Sequence, residues 1–255
     1  MAGDKIAMEL SPKPPQKGES KTGEYWADIM ATFDAVFSNL ESYKNMMRFA
    51  IDSLADSQNV LDSSAGTGHL TLAMLDQGKS VTALDLHQGI LAPLAAKKEA
   101  YGSRLKIVVG DGTELPFLTG SFDGMASLQV LPYVDSPDAY LAEHARVLAP
   151  GGRLVVSGPS SLDLSSGAMV MVNWYNELKS ALGQDRASST WGDFVPKLLE
   201  MSRSGPFKQY SKDEITDMLV QSGDLSVVDI TDNPLYYGSG YLAVAEKLDR
   251  AKLNQ

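Results

Sequence analysis

A chain of 255 residues with 44% hydrophobic residues, a net charge of −10 and no cysteine is long enough for one well-buried α/β domain. The acidic balance argues against a nucleic-acid binder and against docking on anionic membranes, both of which need clustered Lys and Arg. Without cysteine there is no disulfide, no thiolate nucleophile and no Cys-bound zinc; with no apolar run near the ~20 residues of a membrane span, a cytoplasmic protein is expected.

Residues 1–23, which include "SPKPPQKGESKTG", are expected to form a flexible, solvated arm, and residues 24–255 a single domain. "YWADIMATFDAVFSNL" then places its apolar residues on one broad helical face, and a second helix is expected over 42–54. Short strands apolar on both faces follow at 59–62, 81–85, 105–110, 122–130 and 153–158, most of them separated by helical segments. That alternation predicts an α/β, doubly wound, mostly parallel sheet with helices on both faces. The rhythm breaks over about 160–210, where "GAMVMVNWYNELKSAL" and "TWGDFVPKLLEM" predict a helical lid. A capped helix in "SKDEITDMLVQSG" and two strands, "LSVVDIT" and "GYLAVAEK", close the chain.

The first strand ends in "SSAGTG", six residues with almost no side-chain volume, before a helix begins. Such a corner lets the backbone turn sharply and lets a ligand approach unpaired N–H groups at the helix N-terminus. The ordered set "VLDSSAGTG", "VTALDLHQGIL", "GDGTELPF", "FDGMASLQVL" and "VLAPGGRLVVSG" resembles the class I S-adenosylmethionine-dependent methyltransferases over roughly residues 59–158. The resemblance implies a seven-stranded sheet with the last strand antiparallel, and S-adenosyl-L-methionine as cofactor. It places Asp62 and the turn carrying Ser64, Gly66 and Gly68 at the methionine part of that cofactor. Asp85, followed by Leu86, would accept hydrogen bonds from the ribose hydroxyls. Asp111 would meet the adenine amino group, with Gly112 letting the ring lie flat, and Gln129 would face the reacting centre.

One position departs from the pattern: Ser64 stands where the family has its first glycine. A negative φ there would make serine cheap, and that is the expectation; a positive φ would cost about 1 kcal/mol or more. A dinucleotide dehydrogenase is disfavoured because "GTGHLT" lacks the last glycine of its fingerprint. "DNPLYY" imitates a nucleic-acid amino-methyltransferase motif but falls between the last two strands, where it is expected to be a turn.

His69, His87 and His144 are expected to be surface or helix-cap residues, and no spacing suggests a metal site. The acceptor pocket is assigned to Tyr25, Trp26, Tyr133, Trp174 and Tyr175, an aromatic wall suited to a cation. Of the lid pair, Tyr175 is placed in the site and Trp174 in the core, because Trp174 continues the apolar line from Val170. The function expected is methyl transfer to a small-molecule O, N, S or C nucleophile by in-line displacement. An alternative is an intramolecular cyclase or lyase that consumes the same cofactor and releases methylthioadenosine; a third is a binder without catalysis. The sequence assigns no catalytic residue and leaves the oligomeric state open.

Overall fold

A computed structural model describes residues 22–160, 164–204 and 207–249, so nearly all of the expected arm lies outside the described residues. Seven strands form one sheet: β1 (Asn59–Ser63), β2 (Ser80–Asp85), β3 (Leu105–Val109), β4 (Phe122–Leu128), β5 (Leu148–Pro159), β6 (Leu225–Asp232) and β7 (Gly240–Lys247). Their spatial order is β3-β2-β1-β4-β5-β7-β6, with β7 antiparallel to both of its neighbours. The chain steps outward from β1 to β3 and then returns to β4 on the other side of β1. That reversal opens a crevice beyond the C-terminal ends of the strands, where doubly wound sheets bind ligands.

Alternate side chains along each strand leave the sheet on opposite faces, and both faces are covered. Leu61, Leu84, Met125, Leu154 and Val156 pack under α6 (Pro137–Val147) and α9 (Lys212–Gln221), contributed through Leu141, Ile215 and Leu219. Val60, Val81, Ala83, Ala126 and Val155 pack under α2 (Glu41–Ser53), α3 (His69–Asp76) and α4 (Gln88–Ala95). Burial on both faces is why the strands are continuous apolar runs in the sequence.

Side chains close two of the helix ends. Lys79 is 3% exposed, and its ammonium donates to the carbonyls of Leu54, Ala55 and Ser57 at 2.8, 2.9 and 2.7 Å, just past the end of α2. Ser211 and Glu214 close a reciprocal capping box at the start of α9.

The break in rhythm is a helical hairpin, α7 (Leu164–Leu182) and α8 (Gln184–Ser204), joined at Gly183 with φ +80°. It packs on α1 (Thr22–Phe37) through edge contacts between aromatic rings: Phe33 to Phe194 at 5.0 Å and Phe37 to Trp174 at 5.3 Å. This third core roofs the crevice.

Candidate active site

Three left-handed residues shape the corner after β1: Ser64 at φ +62°, Gly66 at +57° and Gly68 at +92°. The negative φ expected at Ser64 is therefore corrected; a left-handed serine carries strain of about 1 kcal/mol or more. Its hydroxyl lies 3.3 Å from the Tyr140 hydroxyl, which also meets Ser63 Oγ at 3.1 Å and Ser127 Oγ at 2.8 Å. A β-carbon at Gly68 would come within 2.7 Å of Leu94, whereas one at Gly66 would meet open space. The turn is thus packed behind Gly68 and open at Gly66.

The acids divide into two roles. Asp85 accepts from the Gly66 N–H at 3.0 Å and the His87 N–H at 3.2 Å, and burial holds its carboxyl above the usual carboxylate range. Asp111 Oδ1 accepts from both the N–H and the hydroxyl of Thr113 at 2.8 Å, and Gly112 lies flat against the Tyr140 ring, which a β-carbon there would overlap. Both acids line the crevice. Asp62 does not. It is 3% exposed behind the turn, accepts from Thr71 Oγ1 at 2.5 Å, and is pushed up to about 6 by burial with the Asp85 charge adding. Asp62 and Gly68 pack behind the corner and are not among the residues that line the cavity.

The crevice is a cavity of about 850 Å³. Its floor is Ser64, Gly66, Asp85, Leu86, Asp111, Gly112 and Gln129; its roof includes Phe33, Phe37, Val170, Trp174 and Leu198. Gln129, at φ +64°, donates through Nε2 to Ser157 Oγ at 2.8 Å and accepts from the Tyr236 hydroxyl. Tyr133 is also on the wall, packed against Phe207 at 5.4 Å.

Trp174 sits in the core as expected, but it and not Tyr175 is the lid residue that lines the cavity. Trp174 lines the cavity, anchored by its indole N–H to the Leu235 carbonyl at 2.7 Å. Tyr175 lies off the cavity wall and bonds Gln184 and Ser188, stitching α7 to α8 at 2.8 and 3.1 Å. Trp174 continues the apolar line from Val170, and this buried face of α7 is also the cavity roof, so core and site coincide. Tyr25 and Trp26 fall on the first turns of α1, and their side chains lie outside the described residues. "DNPLYY" does form a turn, a short 3₁₀ segment that brings Tyr236 to the cavity.

His87 is the N-cap residue of α4 and His69 the first residue of α3, as expected, whereas His144 departs from a surface or cap position. His144 is fully buried, stacked on Tyr140 at 4.0 Å, and burial pushes its imidazole down to about 4. His69 and His87 both line the cavity. His69 Nε2 stands 3.8 Å from Oδ1 of Asp34, a carboxylate on α1 that also accepts from Thr67 Oγ1 at 2.8 Å. Sequence reasoning missed Asp34; its one signal was an acid set into the apolar face of "ATFDAVF". Tyr140 was missed as well, because its partners lie far away in the chain.

A doubly wound sheet with a glycine corner after β1, an acid ending β2 and an acid after β3 defines a protein that holds an adenosine-type ligand across its strand ends. The residues present fit S-adenosylmethionine: two carboxylates at the strand ends able to accept hydrogen bonds, open space at the Gly66 turn, and aromatic rings over the cavity. The profile of the family described as "Methyltransferase domain" matches residues 61–156. Demethylmenaquinone methyltransferase of Corynebacterium glutamicum is 35% identical over 141 residues, 51% of this chain and 59% of that protein, so this chain spans little more than half the relative's length. The enzyme of the same name from Mycolicibacterium paratuberculosis is 31% identical over 200 residues, 74% of this chain and 83% of that one. A 1,6-didemethyltoxoflavin-N1-methyltransferase from Burkholderia thailandensis shares the fold at TM-score 0.60 and 20% identity, covering 94% of each chain. The chain belongs to the class I S-adenosylmethionine-dependent methyltransferases.

Proposed function

We propose that this protein transfers a methyl group from S-adenosylmethionine to an apolar, ring-shaped small molecule of the hydroxyaromatic or quinol class. The observation that carries this reading is the continuity of one cavity, from the acids at the strand ends to an aromatic and aliphatic roof. The names of the relatives from Corynebacterium and Mycolicibacterium, both demethylmenaquinone methyltransferases, support the acceptor class.

The cofactor supplies an electrophilic methyl group on a sulfonium. Asp85 and Asp111 orient it from below, and the Gly66 turn offers backbone N–H groups to its amino-acid part. Phe33, Phe37 and Trp174 exclude water from above and present ring faces and edges to a flat acceptor. Holding two reactants at near-attack distance accounts for about 7–11 kcal/mol of barrier lowering.

Two measurements test the reading. Calorimetry with S-adenosylhomocysteine should show Asp85→Ala weakening affinity by about 1.5–3 kcal/mol, roughly ten- to 150-fold, the scale of hydrogen bonds to a charged group. Incubation with S-adenosylmethionine and 1,4-naphthohydroquinone should give a methylated naphthalene product. Methylthioadenosine formed without any acceptor would instead establish the cyclase alternative.

A further inference from the structure

Asp34 and His69 form an acid–imidazole pair on the cavity wall that the roles above leave unused. Three other polar side chains of the cavity already have partners. The Tyr140 hydroxyl is held among three serines, Tyr236 donates to Gln129, and Asp85 accepts from the glycine turn. Asp34 rises from the same face of α1 as Phe33 and Phe37, so the pair stands where the aromatic roof meets the glycine corner. Both side chains are partly accessible, 27% for His69 and 34% for Asp34.

We propose that His69 takes the proton from the acceptor hydroxyl, and that Asp34 is the positioning residue that stands beside its imidazole and balances the charge it gains. The proposal rests on the methyl-transfer reading. The acceptor O–H bond breaks, its electron pair stays on oxygen, and the proton passes to Nε2 of His69. The imidazolium then forms 3.8 Å from Asp34 Oδ1, where the two charges cancel. The oxygen, or a ring carbon conjugated with it, is left electron-rich for attack. His69 is the first residue of α3, where the positive end of the helix opposes an imidazolium. Asp34 offsets that field. Its own carboxyl is held above the usual range by burial, with the Thr67 hydrogen bond and His69 pulling it back down. The other titratable groups around the corner are Tyr43 of α2, whose ring stands 6.1 Å from the imidazole, the buried Asp62 and Asp85, and His87 beyond β2.

The test compares the wild type with Asp34→Asn and His69→Gln. In NMR spectra of the imidazoles, Asp34→Asn should move the ring signals of His69, since it removes the nearest carboxylate, 3.8 Å away. Unchanged His69 signals overturn the pairing. S-adenosylhomocysteine affinity, by calorimetry, should stay within about threefold in both variants; a loss of tenfold or more would make the pair a cofactor anchor and overturn the proposal. With 1,4-naphthohydroquinone, His69→Gln should lower kcat by about 10²–10⁴-fold with KM little changed, the usual contribution of a general base. Asp34→Asn should lower kcat with KM little changed, because the imidazole loses the carboxylate that balances its charge, and Asp34→Glu should restore part of the rate. A His69→Gln enzyme within fivefold of wild type overturns the proposal. If the wild type does not turn over this quinol, the quinol reading fails by itself, while the NMR signals and calorimetry still decide the pair.

Discussion

Gly112 and Ser64 show how single positions near the cavity are governed by backbone and by distant rings. A β-carbon at Gly112 would overlap Tyr140, and Tyr140 cannot withdraw without giving up three serine contacts. Gly112→Ala should therefore destabilise the fold by about 1–3 kcal/mol, the cost of overpacking, visible as a lower urea midpoint. A midpoint equal to wild type would mean that the ring yields freely. Ser64→Gly should act in the other direction. It relieves a left-handed serine at φ +62° and loses only a 3.3 Å hydroxyl contact, so stability should hold or rise by up to about 1 kcal/mol. A clear loss of stability would show that the Ser64–Tyr140 contact outweighs the strain. These positions were legible as special in the sequence, since a serine in a glycine's place announces itself. What set their conformation was not legible: the Tyr140 hydroxyl reaches serines 77, 76 and 13 residues away.

Elements were easier to read than the contacts between them. The inner strands, buried on both faces, leave apolar runs, and each of the seven expected strands lies where a strand forms, with ends shifted by a few residues, most at the start of β5 and the end of β4. The fourth was drawn through residue 130 but stops at Leu128, because Gln129 turns into the left-handed region to bond Ser157 and Tyr236. The lid helices announced themselves through length and aromatic content, but not which face of α7 served as roof. Lys79, invisible as a structural residue in sequence, fastens the end of α2 by three carbonyls. Lys79→Met keeps most of the side-chain volume but leaves those carbonyls without their donor. It should cost about 1–3 kcal/mol, the penalty for losing a charged hydrogen bond in a buried setting, measured by chemical denaturation at neutral pH. No change would mean that water replaces the ammonium at no cost.

For the whole molecule, the buried carboxylates behind and beside the cavity couple stability to pH. Asp62 is pushed from its ordinary 3.8 to about 6, so between those values the native state binds more protons than the unfolded chain. Its contribution is most favourable below about pH 4 and is lost as pH rises through 6. Asp62→Asn should remove that slope and make the protein more stable than wild type at pH 7, by at most about 3 kcal/mol. Denaturant titrations at pH 4.5 and 7 on both proteins check it. An Asn variant less stable at pH 7 would show that the carboxylate's bond to Thr71 outweighs the burial of its charge.

The position of β7 between β5 and β6 sets a timetable for synthesis. The sheet through β5 is complete once residue 159 has emerged, but β6 cannot join it, because β6 pairs only with β7. Until residue 247 follows, the β5 flank stays an open template for stray strands. At ribosomal speeds those roughly 90 residues take on the order of 5–20 s. During that interval the nascent chain carries both lid helices and an unprotected strand, the period in which this protein is most exposed to aggregation and most in need of a chaperone.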